Sequence, residues 1–153
     1  VLLQPFDTQI FNSIELCNYP LMVLLRRDAT WASRKKINLE ELQHQSFLMF
    51  PENFSLNSII LDACKQHGFY PTIACRPSQW HLLADMVLQR MGIALLPQYY
   101  TDMLDPSLFA AVPLEKPNIQ WHLVMAWKKN LPVSPAVQAW LSIVRQHFQH
   151  IKP

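Results

Sequence analysis

Leu56–His67 reads LNSIILDACKQH and is followed by Gly68, Phe69, Tyr70, Pro71 and the run Thr72–Cys75, TIAC. Trp80–Met91, WHLLADMVLQRM, is followed in the same way by Gly92 and then Ile93–Pro97, IALLP. In the first run Leu56, Ile59, Ile60, Ala63 and Cys64 form one apolar helical stripe; in the second Trp80, Leu83, Ala84, Val87, Leu88 and Met91 do. The chain has only 2 glycines in 153 residues. Both stand where a helix ends, a position at which positive φ is cheap only for glycine, so both are expected to be left-handed caps. Helix, glycine, buried strand, twice over, predicts an α/β fold with a parallel sheet. Such sheets bind ligands beyond the carboxyl ends of their strands.

Working outward, Val1–Gln4 reads as a piece of strand, and Pro20–Leu25 as a strand buried on both faces. The polar, basic stretch Arg26–Lys36 predicts an exposed loop. Asn38 then opens a short helix, with Glu41 completing a capping box and Leu39 and Leu42 facing inward. Phe47–Phe50 predicts a strand, Gln98–Leu104 one or two helical turns, and Phe109–Leu114 and Gln120–Trp127 two more strands. Ser134 and Pro135 are an N-cap and a proline at the first helical position. The helix they open should bury Val137, Trp140, Leu141, Val144 and Phe148.

A chain of 153 residues supports one ordinary core or two small lobes. Its charged fraction of 16% is low against the usual quarter or so, which leaves apolar surface for a partner. A net charge of +2 is too mild for a surface that tracks phosphates, and the basic residues Arg26, Arg27, Arg34, Lys35 and Lys36 read as a solvated loop. Cys17, Cys64 and Cys75 form no even framework and no CxxC pair, so free thiols in a reducing compartment are expected. No apolar run reaches the 18 or so residues of a spanning helix, and no secretory leader is recognisable, so a soluble, cytoplasmic protein without a membrane partner is expected. Cys64 and His67, or His147 and His150, are two-ligand pairs and fall short of a zinc site, so no metal and no cofactor are expected. His81 and Asp85, spaced i, i+4, lack an accompanying nucleophile and read as a surface pair.

The residues also carry a resemblance. Leu21–Leu25, Arg27–Leu42, Phe47–Pro51, the helix ending in Gly68, Phe69 and Pro71, the run Gly92–Pro97, and Ser134, Pro135 and Ala136 through Phe148 resemble, in this order, the effector-binding domain of LysR-type transcriptional regulators. Two departures stand out. Arg90 replaces the first of two glycines that often flank one residue before the Ile-Ala-Leu-Leu-Pro-like strand, so the helix is expected to run a turn further. Ala29 and Thr30 replace a His-Pro pair. The resemblance implies a periplasmic-binding-protein type II-like fold, two α/β lobes joined by two crossing strands. Residues 1–23 and 109–153 would belong to lobe I and residues 24–108 to lobe II, with the first part of lobe I and a winged helix-turn-helix lying outside this chain. It further implies a non-enzymatic sensor of a small, anionic effector that biases the setting of the lobes. Homodimers or tetramers would pair through the helix Leu56–His67 and the strand Thr72–Cys75, with DNA held only by the winged helix-turn-helix.

Helix beginnings at the carboxyl ends of strands offer unpaired amides and a partial positive charge, which suit a carboxylate. The loops in that position are Glu52–Ser55 and Arg76–Gln79. They nominate Asn53, Phe54, Ser55, Arg76, Ser78 and Gln79 as effector-binding residues, and the resemblance points to the same loops. Simple capping would equally explain Ser55 and Ser78, packing beneath the loop Phe54, and solvation Arg76. A periplasmic-type solute-binding protein and an enzyme of the same fold are the alternatives. The first would carry an export signal, and the second convergent acid, base or nucleophile groups.

Overall fold

The computed structural model describes Leu2, Leu3 and residues 7–148. Among the described residues the elements follow in order: β1 (Leu2–Leu3), β2 (Phe11–Arg26), β3 (Ile37–Asn38), a 3-10 helix (Leu39–Leu42), β4 (Ser46–Leu48), α1 (Ser55–Gln66), β5 (Thr72–Cys75), α2 (Trp80–Leu88), β6 (Ile93–Pro97), α3 (Gln98–Thr101), β7 (Phe109–Lys116), β8 (Gln120–Lys128) and α4 (Pro135–Phe148). The chain divides into two compact units, Pro20–Gln120, and Val1–Tyr19 with Trp121–Pro153. It passes between them inside β2 and again at the start of β8.

In the unit Pro20–Gln120, the second half of β2 runs antiparallel to both β6 and β7, with Leu24 opposite Ala94 on one side and Ala111 on the other. Beyond β6 the sheet becomes parallel, since Phe47 of β4 pairs with Ile93 of β6 and with Ile73 of β5. Residues 21–25 and 93–97 are all buried, as continuous apolar strands covered on both faces must be. Leu21, Val23, Leu24, Phe47, Leu48, Leu83 and Leu96 are each 1% exposed or less. Because β4, β5 and β6 point the same way, the segments that follow them leave along one edge of the sheet. The end of β2, at Leu25 and Arg26, lies at the other edge, beside the starts of β4 and β6.

The ends of α1 and α2 use the same hydrogen bonds. At α1, the Gly68 and Phe69 amides donate to the Lys65 and Cys64 carbonyls at 3.1 Å each, and Gly68 has φ +81°. At α2, the Arg90 and Met91 amides donate to the Val87 and Met86 carbonyls at 3.0 and 3.1 Å, and the residue with positive φ is Arg90, at 61°. The expectation that Gly92 is a left-handed cap is therefore wrong. So is the expectation that arginine at position 90 lets the helix continue: α2 stops at Leu88, and Arg90 takes the glycine-like turn itself. Met91 consequently leaves the apolar face and is 43% exposed. Gly92 is required for a different reason, since a β-carbon there would overlap the carbonyl oxygen of Ser46 on the neighbouring strand.

Other boundaries shift modestly. Strand β4 ends at Leu48, though Met49 and Phe50 remain buried as the chain leaves the sheet. On α1 the stripe is as expected except that Ile59 is half-buried and Asn57 is buried. The 3-10 helix buries Leu39 and Leu42, and the Asn38 amide donates to the Glu41 carboxylate at 2.9 Å.

In the unit Val1–Tyr19 with Trp121–Pro153, β8 pairs antiparallel with β1, Leu3 opposite Leu123, and lies beside β2. The Lys129 amide donates to the Ile10 carbonyl at 2.9 Å. Helix α4 begins with Pro135, and the Val137 amide approaches the Ser134 hydroxyl at 3.4 Å. Only Leu141 and Val144 are buried along it; Val137 and Trp140 are 44% and 53% exposed, contrary to expectation. Only a narrow strip of the helix is covered. The expectations for Val1, Gln4 and His150 lie outside the described residues. Among the described residues no helix is long and apolar enough to cross a membrane.

Candidate functional site

The two loops nominated from sequence leave the same edge of the sheet, after β4 and after β5. Strand β4 stays tied to β5 past its own end, as the Met49 amide donates to the Cys75 carbonyl at 3.1 Å. Pro51–Phe54 then closes a turn, with the Phe54 amide on the Pro51 carbonyl at 3.0 Å. The Phe54 ring stacks on Phe50 at 5.2 Å between centroids and 14° between planes, yet stays 39% exposed. Phe54 is thus both packed and available, an outcome that separates neither of its two sequence readings. Asn57, only 2% exposed, donates from its side-chain amide to the Phe50 carbonyl at 2.6 Å. That bond fixes the loop to the first turn of α1. A buried polar residue within an apolar stripe was the available signal for it.

Arg76 joins the two loops. One guanidinium nitrogen lies 3.4 Å from a carboxylate oxygen of Glu52. A second, Nη1, is buried and has no hydrogen-bond partner among the described residues. Since Glu52 is 80% exposed at its side chain, the ion pair itself adds little stability. A buried guanidinium donor left unpaired costs about 1–3 kcal/mol, and an acceptor placed against it recovers that cost.

Ser55 is the first residue of α1, and Phe54 occupies the N-cap without a side-chain bond. Gln79 is the N-cap of α2, again without one, and Ser78 precedes it. Neither serine sits at the capping position, so simple capping does not account for them. Both helices begin with no side chain spent on their first amides. Asn53, Ser55, Ser78 and Gln79 are exposed. Ser55 and Ser78 belong to loops that Arg76 and Glu52 bring into contact. Sequence reasoning missed an aromatic pair on this edge: Trp80, opening α2, lies 5.2 Å from Tyr100 of α3, which follows β6.

Burial pushes the Cys64 thiol up to about 11 and raises that of Cys17 as well, so both stay protonated and unreactive at neutral pH. The His67 ring lies 2.9 Å from the Ala63 carbonyl at the end of α1. Among the described residues no group of three His, Cys, Asp or Glu side chains is placed to hold a metal ion. A hollow of about 610 Å³ lies at the opposite edge of the sheet and includes none of the six nominated residues.

Residues 1–149 match the LysR substrate binding domain family. The HTH-type transcriptional regulator YwbI of Bacillus subtilis is 34% identical over 148 residues, covering 97% of this chain and 49% of YwbI. The chain spans about half the length of the curated relatives it matches. Among solved structures, the CcmR regulatory domain of Synechocystis PCC6803 in complex with 2-PG has a TM-score of 0.84 at 17% identity, covering 98% of this chain and 73% of that one. The effector binding domain of QuiR in complex with shikimate has a TM-score of 0.79 at 16% identity, covering 98% and 71%. These likenesses establish a fold of the type II periplasmic-binding-like class, a mixed α/β sheet. Matched over nearly its whole length, the chain belongs to the LysR substrate-binding domain family.

Proposed function

We propose that this chain is the effector-sensing part of a LysR-type transcriptional regulator, and that it recognises a small organic anion without transforming it. The anion would rest on Asn53, Phe54, Ser55, Arg76, Ser78 and Gln79, with its charge against Arg76 and the first amides of α1 and α2. DNA would be held by a helix-turn-helix outside this chain, and copies would pair through α1 and the edge strand β5. The observation that carries this reading is the buried, unpartnered Nη1 of Arg76 between two helices that begin without side-chain caps. An anion there gains a charge-assisted hydrogen bond and the favourable end of two helix dipoles. The family match and the acid bound by QuiR, shikimate, support the same class of ligand.

A thermal-shift screen of small carboxylates against the full natural protein tests it. A binder at a hundred times its Kd stabilises by about 2.7 kcal/mol, which is several degrees of melting temperature. Arg76→Gln should remove that shift and Glu52→Gln should leave it. If the shift survives Arg76→Gln unchanged, the assignment of Arg76 is wrong.

A further inference from the structure

The hollow at the other edge of the sheet is built from the end of β2, the loop after it, the end of α2 and the start of β6. Its volume of about 610 Å³ falls within the range of small-molecule sites. Leu25, Val87 and Ile93 form a buried apolar floor, and Trp31 is a half-buried wall. The Arg34 guanidinium lies 5.8 Å from the Trp31 ring centroid and is itself held by Glu41 at 2.6 Å, so the indole is braced from its own loop.

Three charges meet at the rim. Arg26 grips both oxygens of Asp28, at 2.8 and 2.7 Å, and donates as well to the Leu88 carbonyl. Asp28 is thereby held as a carboxylate, its pKa lowered to about 2 by the Arg26 hydrogen bonds above all. Arg90 adds one contact of 3.1 Å to the Asp28 oxygen that Arg26 already occupies, and its side chain is 72% exposed. Two guanidiniums against one carboxylate leave one positive charge over, and Arg90 is the group with donors to spare.

Arg90 stands there at a cost. Its φ of 61° is a conformation that disfavours any residue with a β-carbon by about 1–2 kcal/mol. At the equivalent turn after α1 the chain uses Gly68. A strained residue whose side chain reaches a cavity is a reason to look for a role for that side chain.

We propose that this hollow is a second ligand site, separate from the six-residue site, for a small organic anion with a flat apolar body, its charge held by Arg90 and its body lying against Trp31, Val87 and Ile93. Arg90 turns from the shared Asp28 oxygen to the ligand, while Arg26 keeps Asp28 neutralised. The two sites share no residue and stand at opposite ends of strands about 15 Å long. The inference therefore does not depend on the proposed effector site.

The test uses the full natural protein labelled with 5-fluorotryptophan, with the Trp31 resonance identified through Trp31→Phe. Benzoate is titrated at millimolar concentrations, and benzamide serves as its neutral counterpart. The expected result is a saturable shift of the Trp31 resonance with benzoate and none with benzamide. Arg90→Gln should weaken it about tenfold, the loss of one charge-assisted hydrogen bond. Arg90→Gly should weaken it equally while relaxing the backbone, which separates lost recognition from lost folding. Arg76→Gln should leave it unchanged. A Trp31 resonance that does not move, that moves equally with benzamide, that responds as strongly in the Arg90 variants as in the unaltered protein, or that is silenced by Arg76→Gln overturns the proposal.

Discussion

At Gly68 the φ of +81° is one a glycine adopts freely, and a β-carbon placed there would meet nothing within 4 Å. Gly68→Ala should therefore cost only the left-handed strain, about 1 kcal/mol. Gly92 has an ordinary φ, but a β-carbon would overlap the Ser46 carbonyl oxygen and lie 3.0 Å from its carbon. Backbone on a paired strand cannot swing aside as a side chain can. Gly92→Ala should cost at least about 3 kcal/mol, the upper range of overpacking. Urea unfolding of the two variants checks this, and equal losses would mean that the Gly92 contact relaxes easily. The chain shows both glycines after a helix, but only the fold tells a glycine kept for its φ from one kept for its neighbour. Ser46 lies far from Gly92 in sequence, so no local pattern could disclose the overlap. Arg90 taking the left-handed position was hidden for a related reason: its cost is set against what its side chain reaches.

Elements whose burial is decided within a few residues were the ones periodicity read well. Strand β6 and the 3-10 helix bury the residues their spacing indicates, and so does helix α1 except at the half-buried Ile59, with Asn57 added because its amide serves the Phe50 carbonyl. Helix α4 was found at its expected place, from Ser134 and Pro135, but its apolar stripe was broader than the surface its own unit offers. Spacing tells which face is apolar and not how much of it is met. Leu141 and Val144 are each 7% exposed, whereas Trp140 and Ile143 are 53% and 62% exposed. Leu141→Ala should therefore destabilise this chain by about 2–4 kcal/mol, through lost burial and a residual cavity. Trp140→Ala should change it by less than about 0.5 kcal/mol, as an exposed substitution does. Denaturant midpoints of the two variants decide it. A loss at Trp140 comparable to that at Leu141 would mean that the exposed face is covered in solution.

The charge pattern of the whole chain bears on where DNA can be held. Position along the chain made the proposed effector loops legible, since whatever follows β4 and β5 must emerge at their carboxyl ends. The hollow was not legible, because residues 25, 26, 28–31, 45, 87, 90, 92 and 93 meet only once the strands are registered. The same assembly resolves the basic loop. Arg26 lies with Asp28, Arg34 with Glu41 and Lys36 with Glu115, at 2.6–2.7 Å, so these cations of the loop already face carboxylates of this chain. Arg76 and Arg90 have acidic neighbours too, Glu52 and Asp28. Holding duplex DNA relies on cations free to displace condensed counterions, roughly one released per phosphate contacted. A chain with net charge +2, in whose basic loop Arg26, Arg34 and Lys36 are already paired, is short of that supply. Fluorescence anisotropy of a labelled duplex with this chain at ~0.1 M salt should therefore show no saturable binding. An affinity that fell with added salt along a slope of several counterions would place a DNA surface on this chain and refute the division of labour proposed for it.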